Sequence, residues 1–271
     1  MKILVIAEPG STHEGDYDAM VRLAQAAAAA GCDVLKSQWT SSADRMAERR
    51  HAPEYLDSYL KLQYPLAWHQ SLRDVCRELG MEYGCTVYIP GDAALVSPFV
   101  DYLKVSSFEA GSQEFLDEAT DTGNRVIVST GMMTDYTAVL SLMGASRFRN
   151  RPELPKMPWA VLHCCSSYPA PLRALNLSAM TAGLSPSKLG FSDHSRDMRV
   201  GGWAVCAGAE VIETHFRLDD CSPANRDYGV AFTPWELGVY VRNIRDAELA
   251  YGDGIKRVQD CEQPMLQYRS R

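Results

Sequence analysis

The sequence predicts a single-domain α/β chain closed as a (β/α)8 (TIM) barrel, and three observations support this. Short apolar runs of strand length alternate with helical stretches that end at glycines along most of the chain. The length of 271 residues suits one such barrel, which takes about 250. Two of the runs, Leu189-Gly-Phe-Ser-Asp-His-Ser195 and Val211-Ile-Glu-Thr-His-Phe216, each end in a histidine and flank an Ala- and Gly-rich helical stretch at 200–208. Strands joined by such a crossover run parallel and finish on the same side of the sheet. A doubly wound open sheet is the alternative, but no Gly-x-Gly-x-x-Gly follows the first strand to favour it.

Taken in order, residues 3–8 form a strand ending in Glu8, 9–15 a turn, and 17–30 an Ala-rich helix with Gly31 as its C-cap. Residues 33–38 form the second strand, which carries Lys36 inside an apolar run. Residues 40–65 are predicted as a long, charged, Tyr-rich loop, and loops of that length after a strand cover active sites. A helix at 66–79, a strand at 81–86, a short helix at 92–96 and a strand at 100–107 with Lys104 follow. Helices at 112–122, 134–142 and 177–184 alternate with strands at 125–129, 159–164 and 188–193. The strand at 211–215 completes the eight, and Thr233-Pro234 opens a final helix reaching Tyr251.

The composition, 46% hydrophobic and 23% charged, is that of a globular chain. A net charge of −7 argues against nucleic acid or an anionic membrane surface as partner. No run reaches the roughly 18 apolar residues of a bilayer span, and Met1-Lys-Ile-Leu shows no signal-peptide hydrophobic region, so a cytoplasmic location is expected. The eight cysteines lie between Cys32 and Cys261 with no CxxC pair, which predicts reduced, core-filling thiols. Cys164 and Cys165 are the ones nearest the expected chemistry.

Active groups of a barrel lie at the carboxyl ends of its strands. Found there are Glu8, Lys36, Thr86, Lys104 with Ser107 and Glu109, Ser129 with Thr130, His163 with Ser166 and Tyr168, Ser192 with His194, and His215. His194 and His215 end neighbouring strands, about 4.8 Å apart. Neutral imidazoles so placed can ligate one divalent metal or serve catalysis, the alternative being two histidines hydrogen-bonded in a buried layer. Two lysines buried at one barrel mouth call for an anion, and hydroxyls from Ser107, Ser129 and Ser192 complete a pocket for phosphate or carboxylate. Each lysine could instead reach the rim, or pair with Glu8 or Glu109. Closure sets strand eight beside strand one, which brings Glu8 next to the histidines, either to accept a proton from metal-bound water or to be a third ligand.

Seven motifs then carry a resemblance. Glu8-Pro-Gly-Ser-Thr-His-Glu-Gly-Asp16, Leu35-Lys-Ser-Gln38, Lys104-Val-Ser-Ser-Phe-Glu109, Ser129-Thr-Gly-Met132, His163-Cys-Cys-Ser-Ser-Tyr-Pro169, Phe191-Ser-Asp-His194 and Ile212-Glu-Thr-His215 resemble, in order, those of the sialic acid synthase (NeuB) family. The resemblance implies a (β/α)8 barrel that condenses phosphoenolpyruvate with the aldehyde of an open-chain N-acetylated amino sugar. Phosphate is released and a 2-keto-3-deoxy sugar acid is formed. It implies a homodimer and a divalent metal, manganese or magnesium, on His194 and His215, with Glu8 as the carboxylate that handles the metal-bound water. By the same resemblance Lys36, Thr86, Lys104, Ser107, Ser129, Ser166 and Ser192 bind phosphoenolpyruvate, while Glu109, Tyr168 and Asp227 hold the acceptor.

The departures cluster on the acceptor side. The family's Asn-His-Asn turn is Thr12-His13-Glu14, its Pro-Phe-Asp is Val87-Tyr88-Ile89, its strand-six Asn is Ser166, and its Gly-Pro-Asp loop is Asn225-Arg226-Asp227. The family continues into an antifreeze-protein-like (SAF) domain, whereas this sequence stops at Arg271, so a barrel without that domain is expected. An acceptor other than N-acetylmannosamine is expected, in a specialised sugar or natural-product pathway, with Arg45, Arg49 and Arg50 either supplying its cation or standing as solvated charges on a helix face. Two further readings stay open: a Schiff-base aldolase using Lys104, and a ligand-binding barrel without catalysis.

Overall fold

The computed structural model describes residues 2–134, 159–181 and 188–270. Eight strands follow one another around a closed barrel: β1 (Leu4–Glu8), β2 (Val34–Trp39), β3 (Glu82–Val87), β4 (Tyr102–Val105), β5 (Arg125–Ser129), β6 (Ala160–Cys164), β7 (Lys188–Asp193) and β8 (Val211–His215). Every neighbouring pair is parallel. The β8 to β1 pairing, with Glu8 opposite His215, closes the ring. The predicted barrel is therefore the fold.

Side chains alternate between two cores because strand residues point to opposite faces in turn. Val5, Ala7, Leu35, Cys85, Leu103, Val105, Phe191 and Ile212 pack outward against the helices. Ile6, Val34, Tyr102, Ile127, Ala160, Leu162 and Val211 plug the lower interior. Two residues further along the same parity stand Glu8, Lys36, Lys104, Ser129 and Glu213, directly above that apolar plug. The plug keeps water from reaching them from below, and this is how the strands position the site.

The surrounding helices are α1 (Tyr17–Ala29), α2 (Ala43–Arg49), α3 (Leu56–Leu60), α4 (Ala67–Glu78), α5 (Asp92–Val96), α6 (Gln113–Asp121), α7 (Val200–Cys206) and α8 (Pro234–Tyr251). Their starts follow local chemistry: Asp16 accepts the Ala19 amide at 3.1 Å to open α1, and Thr233 with Glu236 forms a capping box ahead of Pro234 in α8.

One expectation is corrected. Residues 40–65 are not an open loop but carry α2, a 3-10 turn (Pro53–Tyr55) and α3, with a small core of Ala43, Met46, Ala47, Tyr59, Leu62, Tyr88 and Ile89. Helices of 7 and 5 residues are too short to show a helical period in sequence. The helix expected at 177–184 is a 3-10 turn at Leu177–Thr181, and its remainder lies outside the described residues, as does nearly all of the helix expected at 134–142. All eight cysteines are free thiols.

Candidate active site

The carboxyl edge of the barrel opens into a cavity of about 440 Å³. Its lining includes Glu8, Lys36, Thr86, Lys104, Ser107, Ser129, Ser166, Ser192, His194 and His215, with Tyr168 and Asp227 nearer the mouth. Of the residues singled out in sequence, Glu109 stands behind this wall, 2% exposed. His163 points the other way: its Nε2 is 2.7 Å from the Leu175 carbonyl and its ring stacks on Phe191, because it has the outward parity of β6. Cys164 Sγ lies 3.2 Å from Ser107 Oγ, and burial pushes its thiol up, so it is a poor nucleophile.

The floor is a charge network. Lys36 and Lys104, 2% and 3% exposed, do not reach the rim. Lys36 donates to Thr86 Oγ1 at 2.6 Å and pairs with Glu8, whose other oxygen accepts the Gly10 amide at 3.0 Å. Lys104 pairs with neither Glu8 nor Glu109 but with both oxygens of Glu213, at 2.8 and 3.1 Å. Glu213 also accepts from Ser192 Oγ at 2.8 Å and lies 3.6 Å from Lys36. Sequence reasoning gave Glu213 no role, although it shares the inward parity of His215. Burial lowers Lys36 to about 8, with Lys104 adding to the shift and Glu213 opposing it. Burial would raise Glu213, but Lys104 and Lys36 together outweigh it and hold the carboxylate well below its usual range.

Above this network Ser129 Oγ and Ser166 Oγ are buried with no protein partner. Ser107 Oγ accepts the Gly131 amide at 3.0 Å. A Cβ on Gly131 would lie 2.2 Å from Ser166 Oγ and 2.9 Å from Ser107 Oγ, so only glycine lets these hydroxyls converge. Orphaned hydroxyls beside two ammonium groups are suited to an oxyanion.

The imidazoles meet with ring centroids 5.6 Å apart. His194 Nδ1 lies 2.9 Å from the Cys165 carbonyl, which selects the Nδ1–H tautomer and leaves Nε2 with a lone pair. His215 Nδ1 is buried without a partner. Burial lowers His194 to about 3 and depresses His215 as well, so both rings are neutral near pH 7, the form that ligates a metal. These features fit a divalent ion. Among the described residues no three His, Cys, Asp or Glu side chains converge on one point, and Glu8 is engaged by Lys36 and the Gly10 amide.

The outer half is assembled from loops. Arg50, at the end of α2, pairs with Glu109 at 2.8 Å and lies between the rings of Tyr88 and Phe108, 4.8 and 4.6 Å from their centroids. Ser106 also hydrogen-bonds Glu109. Of the three arginines proposed to supply a cation, only Arg50 lines the cavity; Arg45 is exposed and Arg49 sits over Phe115. The Tyr168 ring lies 4.3 Å from that of His194. Asp227 accepts the Ser11 amide and hydroxyl, both at 2.7 Å. Gly10, at φ 56°, makes room for it: a Cβ there would sit 2.4 Å from Asp227 Oδ2 and 3.3 Å from His215 Nδ1.

Paired buried lysines, unpartnered hydroxyls and two neutral imidazoles at the carboxyl mouth of a (β/α)8 barrel define an enzyme of the class that acts on small anionic substrates. Residues 23–256 match the model of the NeuB family, and the chain belongs to that family. It is 31% identical to an N,N'-diacetyllegionaminic acid synthase of Legionella pneumophila, over 98% of this chain and 78% of that protein. The corresponding synthase of Campylobacter jejuni is 29% identical over 97% of this chain and 81% of that protein. Among solved structures, an N-acetylneuraminic acid synthetase from Leptospira borgpetersenii superposes with a TM-score of 0.86 at 26% identity, covering 99% of this chain and 92% of that one.

Proposed function

We propose that this chain condenses phosphoenolpyruvate with the aldehyde of an open-chain sugar, forming a 2-keto-3-deoxy acid and inorganic phosphate. One observation carries this: the ammonium groups of Lys36 and Lys104 and the orphaned hydroxyls of Ser129 and Ser166 share one buried floor beside two neutral imidazoles. Lys36, steadied by Thr86 and Glu8, and Lys104, steadied by Glu213, orient phosphoenolpyruvate through its phosphate and carboxylate. Ser107, Ser129, Ser166 and Ser192 complete its hydrogen bonds. His194 and His215 hold the divalent ion, manganese or magnesium, which when bound supplies Lewis acidity for the aldehyde oxygen. Glu109, Tyr168 and Asp227 hold the acceptor. The enol carbon bonds to the aldehyde carbon, water adds to the cationic carbon left behind, and the phosphate group then leaves as the new ketone forms. Glu8 and Lys36 beside it move the water's protons toward the new hydroxyl and the departing phosphate.

The Schiff-base reading is not favoured, because it gives the two neutral imidazoles at the same mouth no role, while Lys104 is held by both oxygens of Glu213. Phosphate release from phosphoenolpyruvate is the test, run with a panel of aldoses. Turnover is expected to vanish after chelation and to return with Mn2+ or Mg2+, while His215→Ala is not rescued. No release with any aldehyde overturns the condensation, and full turnover of metal-free protein overturns the metal.

A further inference from the structure

The other lysine and arginine cations of the cavity are neutralised by the chain itself. Lys36 and Lys104 share Glu8 and Glu213, and Arg50 is paired with Glu109. Arg226 lines the same cavity, and no ion pair is formed by it among the described residues. Its guanidinium stacks over the ring of Tyr55, 3.9 Å from the centroid. A guanidinium held by its face keeps its edge N–H groups free for an oxyanion. Tyr55 belongs to the 40–65 segment and Arg226 to the connection between β8 and α8, so their contact spans the mouth.

The backbone on either side of Arg226 is anchored. Asn225 is buried and donates to the Ser11 carbonyl at 3.0 Å and to Glu14 at 2.6 Å, while Asp227 is fixed by the amide and hydroxyl of Ser11. The arginine is therefore carried on a rigid rim and its direction is set by Tyr55. It lines the same cavity as Tyr168 and its own neighbour in the chain, Asp227. Tyr168 touches His194, and Asp227 lies against Gly10 beside His215, so Arg226 is carried on the acceptor side of the cavity. Arg226 is exposed at this rim, where an entering acceptor can reach its free N–H edge.

We propose that Arg226, stacked on Tyr55, binds an anionic group, phosphate or carboxylate, at the end of the acceptor remote from its aldehyde, and so selects charged acceptors. This rests on the condensation reading above. A planar fork meeting phosphate or carboxylate edge-on forms two parallel charge-assisted hydrogen bonds, which a lone lysine would not provide.

The test compares three matched acceptors: N-acetylmannosamine, its 6-phosphate and the corresponding uronate. Wild-type kcat/KM is expected to favour a charged acceptor by about tenfold or more, with the better of phosphate and uronate identifying the anion. Arg226→Gln should lower kcat/KM for that acceptor by about tenfold more than for the neutral sugar, and the difference should shrink as salt is raised. Equal losses for charged and neutral acceptors overturn the proposal. Calorimetry with the reduced, unreactive N-acetylmannosaminitol 6-phosphate, in the presence of phosphoenolpyruvate, separates binding from chemistry. If no aldehyde is turned over but this alditol phosphate binds wild type more tightly than Arg226→Gln, the condensation reading fails and the Arg226 site stands. Equal or absent binding to both proteins, for this alditol phosphate and for the correspondingly reduced uronate alike, overturns the Arg226 site.

Discussion

The inner and outer halves of the cavity bind charge in different ways. In the inner half, Lys36, Lys104, Glu8 and Glu213 come from strands, are almost completely buried, and neutralise one another over a few ångströms. In the outer half, Glu109, Arg50, Asp227 and Arg226 come from turns and short helices, and aromatic faces flank both guanidiniums, Arg50 being held by Glu109 as well. The difference teaches where each half can vary. Removing one member of the inner network strands a buried charge. The outer half can exchange residues at its rim without disturbing the barrel, and most departures from the family's motifs fall there.

The largest effect is expected from Lys104→Met, which leaves Glu213 buried with only Lys36 at 3.6 Å. Loss of one partner from a buried pair costs about 3 to 5 kcal/mol, read as a lower denaturant midpoint, together with lost phosphoenolpyruvate binding. Lys104→Met/Glu213→Gln should regain stability but not activity. A wild-type midpoint for the single variant would show that the inner charges are not one network.

An intermediate effect comes from acid. His13 and His69 flank Tyr64, which lies at the end of the 40–65 segment and joins the main hydrophobic core, and burial lowers them to about 4 and about 3 from 6.5. His13 accepts the Gly15 amide on Nδ1, which requires the neutral ring. Between those values and 6.5 the unfolded chain binds protons that the native chain does not, so stability falls as pH drops below 6.5. The slope is about 1.4 kcal/mol per pH unit for each histidine. Hydrogen exchange at pH 5 should show residues 40–65 losing protection before the strands. Simultaneous loss would erase the distinction between the halves on this point.

The smallest effect sharpens the comparison from the other side. Arg50→Met frees Glu109 from its ion pair while leaving the lysine floor intact. The acceptor KM should rise by about tenfold with phosphoenolpyruvate affinity changing less than about twofold by calorimetry. A parallel loss of phosphoenolpyruvate affinity would mean that the two halves are coupled.

The strand alternation made the inner half legible. Lys36, Thr86, Lys104, Ser129, Ser192, Glu8 and His215 all stand at inward positions near strand ends, and the barrel places them around one floor. Glu213 carries the same signal, two residues after Val211 and two before His215, but only the lysines that the closed barrel brings to it give it a role. His163 shows the opposite error: it is a polar residue near a strand end, but with outward parity. Among Arg45, Arg49 and Arg50 the sequence offered no choice, since the direction of each depends on where α2 stops and on what packs against it.

The sequence by itself determined the alternation of eight strands with helices, their closure, and the side of the sheet on which the chemistry stands, because strand parity and crossover handedness are properties of the local backbone. Tertiary structure alone decided that Lys104 takes Glu213, that Arg50 takes Glu109, and that Arg226 crosses the mouth to Tyr55. Those choices join residues far apart in the chain, as Ser11 and Asn225 are joined across 214 positions. No local pattern encodes such a pairing, which follows only from how the loops pack once the barrel has closed.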